Sequence, residues 1–222
     1  MTPFLLILVP LVSAGPVCDR LAADGALVWA GIDTRALQLY VPEGFDDPAE
    51  KVFWGPGGGL DDFIGTFDSQ GVAWKRLCGD WNTMFVNERV ASLEDRLKVR
   101  VSVSVPEVCA AEQRPEDGWF MPEFAAASSP PAFDREQLNA AVASWPVQAS
   151  EGLGLMVVAE RYAKAEDAGC VWPVFFDVAS RDILHSERSC LPPRGIGFRN
   201  YWLNPVVDAV KATAKKMSTG GL

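Results

Sequence analysis

Three runs decide how this chain is read: Leu153–Tyr162 (LGLMVVAERY), Cys170–Val178 (CVWPVFFDV) and Asp182–Cys190 (DILHSERSC). The first two are almost unbroken apolar stretches of strand length. Short polar connections join all three, so they read as consecutive strands of an antiparallel meander. If Ser180 centres the second turn, residues equally far from it face each other, and Cys170 then lies opposite Cys190. Directly opposed residues of a non-hydrogen-bonded pair come within reach of a disulfide, and that bridge is predicted. The same register sets Asp177 across from Ile183.

Downstream, Asn204 and Pro205 suit the N-cap and first position of a helix that starts there or a turn earlier. Leu203, Val206, Val207, Val210, Ala214 and Met217 form its inner stripe. Upstream, Asp134 caps a short helix from Arg135 to Trp145, with Leu138 and Val142 inward and Pro146 as the stop. Glu107–Phe133 reads as a long loop. Val99–Val105 (VRVSVSV) alternates, placing Val99, Val101, Val103 and Val105 on one buried face of a strand. Leu60–Leu97 is mostly helical, since Trp74, Leu77, Trp81, Met84 and Phe85 recur at helical spacing. Pro42–Gly59 ends in Gly55-Pro56-Gly57-Gly58-Gly59 and is irregular. Ala26–Ile32 and Ala36–Val41 flank Asp33-Thr34-Arg35 as a hairpin or a sharp bend. The fold class is therefore α+β: an antiparallel sheet, made of an N-terminal strand pair and a C-terminal three-stranded meander, packed against helices.

Phe4–Val12 is an apolar run of signal-peptide length, too short to span a bilayer, and Val12-Ser13-Ala14 suits cleavage. Residues 1–14 are thus expected to be a signal peptide and 15–222 one exported domain, periplasmic or secreted. The alternative is a lipid anchor at Cys18, although Pro16-Val17 is not the small-residue context that lipidation favours. No transmembrane helix is expected after the leader. Five cysteines (Cys18, Cys78, Cys109, Cys170, Cys190) form no C-x-x-C pair and the single His185 has no partner at ligand spacing, so no metal site is expected. In an oxidising compartment the thiols pair and leave one over.

The net charge of −9 argues against nucleic acid as a partner. Beyond Leu191 the balance reverses: Arg194, Arg199, Lys211, Lys215 and Lys216 face Asp208 alone. This basic terminal helix is expected to dock on the chain's own acidic surface or on anionic lipid. Eight Trp, about three times the usual share, point to a core or a groove of flat rings.

No motif fixes a chemistry. The GPGGG run lacks the Gly-Lys-Ser/Thr ending of a phosphate cradle, no G-x-S-x-G elbow exists, and no cofactor is expected. Asp33, Glu160 and Asp177 are the candidate catalytic acids, each at a strand or strand end in apolar surroundings. Asp33 and Asp177 also suit turn capping, and Glu160 suits pairing with Arg161, Arg181 or Arg199. Arg199, Asn200 and Trp202, just after Gly195-Ile196-Gly197, form a candidate anion-binding helix start. The competing role for Tyr201 and Trp202 is to anchor that helix to the sheet.

Several stretches together resemble a family of exported bacterial proteins without an assigned activity. They are Glu151-Gly152-Leu153-Gly154-Leu155, Glu160, Val174-Phe175-Phe176-Asp177 with Arg181 and Leu184, and Gly197-Phe198-Arg199-Asn200-Tyr201-Trp202. The similarity covers residues 151–211 well, extends loosely to Trp29-Ala30-Gly31-Ile32-Asp33, and is poor between. The cysteines, the GPGGG run and the loop near Ser128 depart from it. The resemblance implies export. The leading expectation is a non-enzymatic envelope or periplasmic protein that binds an envelope partner or ligand through a Trp-lined surface or the basic helix. The alternative is a periplasmic hydrolase that pairs two of the three acids.

Overall fold

The computed structural model describes residues 15–40, 72–106, 123–125, 132–163, 166–195 and 198–219. The leader, the GPGGG run and residues 60–71 of the expected helix lie outside them. In chain order the elements are α1 (Gly15–Asp24), β1 (Ala26–Asp33), β2 (Gln38–Tyr40), α2 (Val72–Leu97), β3 (Arg100–Val103) and β4 (Glu123–Ala125). They continue with α3 (Arg135–Ser144), β5 (Leu153–Ala163), β6 (Ala168–Asp177), β7 (Ile183–Ser186), β8 (Ser189–Leu191) and α4 (Phe198–Ser218).

The fold is α+β, but its sheet is mixed and not antiparallel as expected. The β5–β6 hairpin is the centre, and β7 and β8 pair antiparallel with β6. On the other edge of β5, β1 and then β2 run parallel to it, with β3 parallel to β1 and β4 parallel to β2. The expected N-terminal hairpin is therefore absent. Asp33-Thr34-Arg35 makes a bend, held by Leu37 N–H donating to Thr34 O, that carries the chain onward along the same edge. β4 falls within the stretch read as loop, and α1 carries no signal that the sequence reading used.

Helices cover both faces. On one, α1, α2 and α4 bury Val17, Trp81, Phe85, Trp202, Val206 and Val210 against Leu155, Val157 and Tyr162. On the other, α3 buries Leu138 and Val142 against Met156, Val158, Val174 and Phe176. Side chains of this size each contribute about 1.5–3 kcal/mol on full burial. α3 starts in a capping box, with Asp134 accepting from Gln137 N–H and the Gln137 side chain accepting in return. The inner stripe of α4 is buried as its spacing requires, yet the helix starts at Phe198, so Pro205 lies inside it.

β3 departs from its alternating pattern. Val101 is buried, but Val103 is 47% exposed. The strand leaves the sheet at Ser104, whose N–H donates to Trp29 O and whose hydroxyl accepts from the N–H groups of Gln148 and Ala149. Val99 and Val105 pack against the core, so Val103 alone leaves the expected face.

Candidate functional site

The candidate acids gather around irregularities in the sheet. Ala159 faces Val171 and Arg161 faces Cys170, so Glu160 is an extra residue in β5, a β-bulge. Across the neighbouring edge, Val158 pairs with Asp33 and Arg161 with Gln38, so the β1–β2 bend lies beside the bulge. Asp33 and Glu160 therefore both sit at the C-terminal end of the parallel pair β1–β5.

Neither acid is free. Asp33, 2% exposed, accepts from Arg35 Nε and backbone N–H, both at 2.9 Å, and from Arg35 Nη2 at 2.8 Å. Arg35 continues to the carbonyls of Ala141 and Ser144 at the end of α3 and lies 5.0 Å over the Trp145 ring. Asp33 thus caps the bend and orients an arginine that fastens α3.

Glu160, 3% exposed, accepts from Trp172 Nε1, from Arg188 Nε at 3.0 Å and from Arg188 Nη2 at 2.5 Å. Its partner is Arg188, not the expected Arg161 or Arg181, and the third expected partner, Arg199, has its side chain outside the described residues. Arg188 occupies the gap between β7 and β8, which opens opposite Pro173, a residue with no N–H to extend the ladder. Arg161 instead pairs with Glu166 and approaches the Cys170 sulfur at 3.9 Å.

Asp177 accepts from Ser180 N–H at 2.8 Å and meets Arg20 of α1 at 3.2 Å. The Ser180 N–H, with further help from Arg20 and the Ala179 N–H, holds its carboxyl below the ordinary carboxylate value. The expected pairing of Asp177 with Ile183 is off by one: Phe176 faces Ile183, because Leu184 is an extra residue in β7. Further from the turn the register is as expected, and the Cys170–Cys190 disulfide joins directly opposed residues of β6 and β8.

The proposed anion-binding helix start is not assembled as a ligand seat. Trp202 is 1% exposed and stacks on Tyr162 at 4.6 Å, so its ring belongs to the core. Asn200 is exposed, and its carbonyl accepts from Asn204 Nδ2. The Arg199 side chain lies outside the described residues. Tyr201 donates to Asp167 at 2.8 Å, and burial together with that contact pushes its pKa up to about 12. Tyr201 and Trp202 therefore anchor the helix.

The tryptophans are not a described surface either: Trp29, Trp81, Trp145 and Trp202 are buried, and Trp172 is half-buried. Cys18 is half-buried, its thiol 3.7 Å from Met217 O, while its neighbour Val17 is fully buried. His185 is half-buried against Phe175, and burial holds its pKa below the ordinary value. Among the described residues, no group of His, Cys, Asp or Glu is arranged to hold a metal, and no helix is long and apolar enough to cross a membrane.

A feature the sequence reading did not single out lies between α2 and α4. Phe85, Leu93, Val207, Val210 and Ala214, all buried, floor a shallow surface crevice, with Arg89, Ser92, Arg96 and Lys211 around it. The nearby basic groups differ in compensation. Lys216 pairs with Glu187 and Arg194 with Asp208, whereas Arg96 and Lys211 make no ion pair among the described residues. Helical spacing of Arg89 and Arg96 with Phe85 and Leu93 was the available signal, but nothing in the sequence pairs α2 with α4.

The chain matches no known protein family, no curated protein and no solved structure.

Proposed function

We propose that this is an exported, non-catalytic binding protein of an oxidising extracytoplasmic compartment, and that it meets its partner through the basic face of α4 and the adjoining part of α2. One contrast carries the reading: the candidate acids are neutralised where they stand, whereas Arg96 and Lys211 have no ion pair among the described residues. A general acid or base needs a proton-exchanging group facing substrate. Asp33 and Glu160 instead spend their oxygens on guanidinium, indole and backbone donors, which disfavours the hydrolase alternative.

The Cys170–Cys190 bridge is compatible with export, as is the leader read from the sequence. A lipid anchor at Cys18 is the weaker alternative, since processing before Cys18 removes Val17 from the core. The test is to recover the native protein from fractionated cells, sequence its N-terminus and map its disulfides without reduction. A start at Gly15 with Cys170 linked to Cys190, in material from outside the cytoplasm, is expected. Retained Met1 with both thiols reduced contradicts the proposal.

A further inference from the structure

We propose that the Cys170–Cys190 disulfide is a redox-active latch: an external dithiol attacks the exposed Cys190 sulfur, Cys170 departs as a thiolate beside Arg161, and β8 is released from the sheet. The proposal concerns the bridge alone and stands whether or not the basic face binds a partner. Three observations carry it.

The two half-cystines differ in access. Cys170, in β6, is fully buried, whereas Cys190, in β8, is exposed. Disulfides exchange by attack of a thiolate on one of the two sulfurs. An incoming thiolate therefore meets Cys190, and the electron pair of the S–S bond goes to Cys170.

The departing sulfur has a cation beside it. The bulge at Glu160 sets Arg161 opposite Cys170 and brings Arg161 Nη2 to 3.9 Å from Cys170 Sγ. A guanidinium favours a thiolate over a thiol, and a more acidic thiol leaves faster. The same Nη2 meets Glu166 at 2.7 Å, but the Glu166 side chain is 45% exposed and that of Arg161 only 11%. Solvent weakens the hold of that carboxylate, while the guanidinium acts on the buried sulfur through a drier medium.

What the bridge holds is small. β8 is three residues long, pairs with β6, and is separated from β7 by Glu187 and Arg188. Opening the bond frees β8 and the start of the segment that leads to α4, while the long β5–β6 hairpin keeps its own pairing.

The exchange balances against a dithiol. Its first thiolate forms a mixed disulfide with Cys190 as the S–S bond breaks toward Cys170. Its second thiolate then displaces Cys190 and closes the reductant's own disulfide. The two protons lost by the dithiol end on Cys170 and Cys190, so the bridge is reduced and the dithiol oxidised.

The folded, oxidised full chain is treated at neutral pH with glutathione or with dithiothreitol, trapped with N-ethylmaleimide and mapped by mass spectrometry. Glutathione is expected on Cys190, with Cys170 carrying the maleimide. Reduction by dithiothreitol should slow about threefold or more in Arg161→Gln and quicken in Glu166→Gln. A fold merely loosened by substitution would quicken both. After reduction, amide exchange should rise in β8 and stay slow in β5 and β6. The proposal is overturned if the bridge resists both reagents until urea is added, or if glutathione lands on Cys170. It is also overturned if the two variants shift the rate in the same direction or not at all, or if exchange in β8 is unchanged or rises equally throughout the sheet.

Discussion

Asn82 of α2 grips the backbone of Ile32 in β1: its Oδ1 accepts the Ile32 N–H at 2.8 Å, and its Nδ2 donates to the Ile32 carbonyl at 3.1 Å. The grip falls where β1 slips by one residue against β5, between Trp29 and Gly31. A side-chain amide thus serves the backbone where the ladder is irregular.

Asn82→Ala should cost about 1–3 kcal/mol, because it removes partners from buried backbone groups. Gly31→Ala should cost a similar amount by another route. Gly31 has φ +110°, and an added Cβ would lie 2.7 Å from Asn82 Oδ1. Urea unfolding of both variants, and of the double variant, checks this. Less-than-additive losses are expected, since both changes break one contact.

Arg35→Lys should destabilise by about 1–2 kcal/mol although charge is kept. A single ammonium cannot reproduce the fork on Asp33 and the reach to the Ala141 carbonyl. Amide exchange should rise first in α3, whose last turn that fork fastens. Uniform loss of protection would assign Arg35 a general role instead.

Asp177 ties part of the stability to acid pH. Its carboxyl titrates lower in the folded chain than the ordinary 3.8, so the charged form stabilises the fold above that value. The contribution disappears as pH falls through the lowered folded value. Asp177→Asn should therefore narrow its stability gap from the parent below about pH 4, as measured by thermal melting from pH 2 to 7. A gap unchanged across that range would refute the assignment.

Cys170→Ala/Cys190→Ala should lose about 3 kcal/mol, the loop-closure entropy expected for cysteines 20 residues apart. For a chain of this size that is a fall in Tm of about 6–12 °C. Calorimetry of the parent with and without reductant should show the same fall.

The β5–β6 hairpin and the Cys170–Cys190 disulfide were legible from apolar runs and a short turn, although the third expected strand, Asp182–Cys190, is broken into β7 and β8 and slips by one near the turn. α3 was legible through Asp134, Gln137 and the spacing of Leu138 and Val142. The parallel half of the sheet was not. Pairing of β1 with β3 and β5 joins segments far apart in sequence, and apolar pattern alone carries no direction. The three one-residue irregularities, beside Gly31, at Glu160 and at Leu184, are invisible to alternation, yet they place Asp33 and Glu160 and shift Asp177. Asp33, Glu160 and Asp177 stand out in the sequence as acids in apolar runs; Asp33 and Glu160 are buried and Asp177 is half-buried. Their partners were legible only where local: Arg35 and Ser180 are near in sequence, whereas Arg188 and Arg20 reach across the fold. The α2–α4 crevice needed tertiary structure outright.

Glu160, buried like Asp33 and bound by Trp172 and Arg188, is expected to hold β5, β6 and the β7–β8 gap together. Equilibrium unfolding of Glu160→Gln tests it most directly. Losing the carboxylate between Trp172 and a partly exposed Arg188 should lower stability by about 1–3 kcal/mol. A variant as stable as the parent, or more so, is the behaviour of an acid kept for catalysis at the expense of the fold, and would contradict the claim.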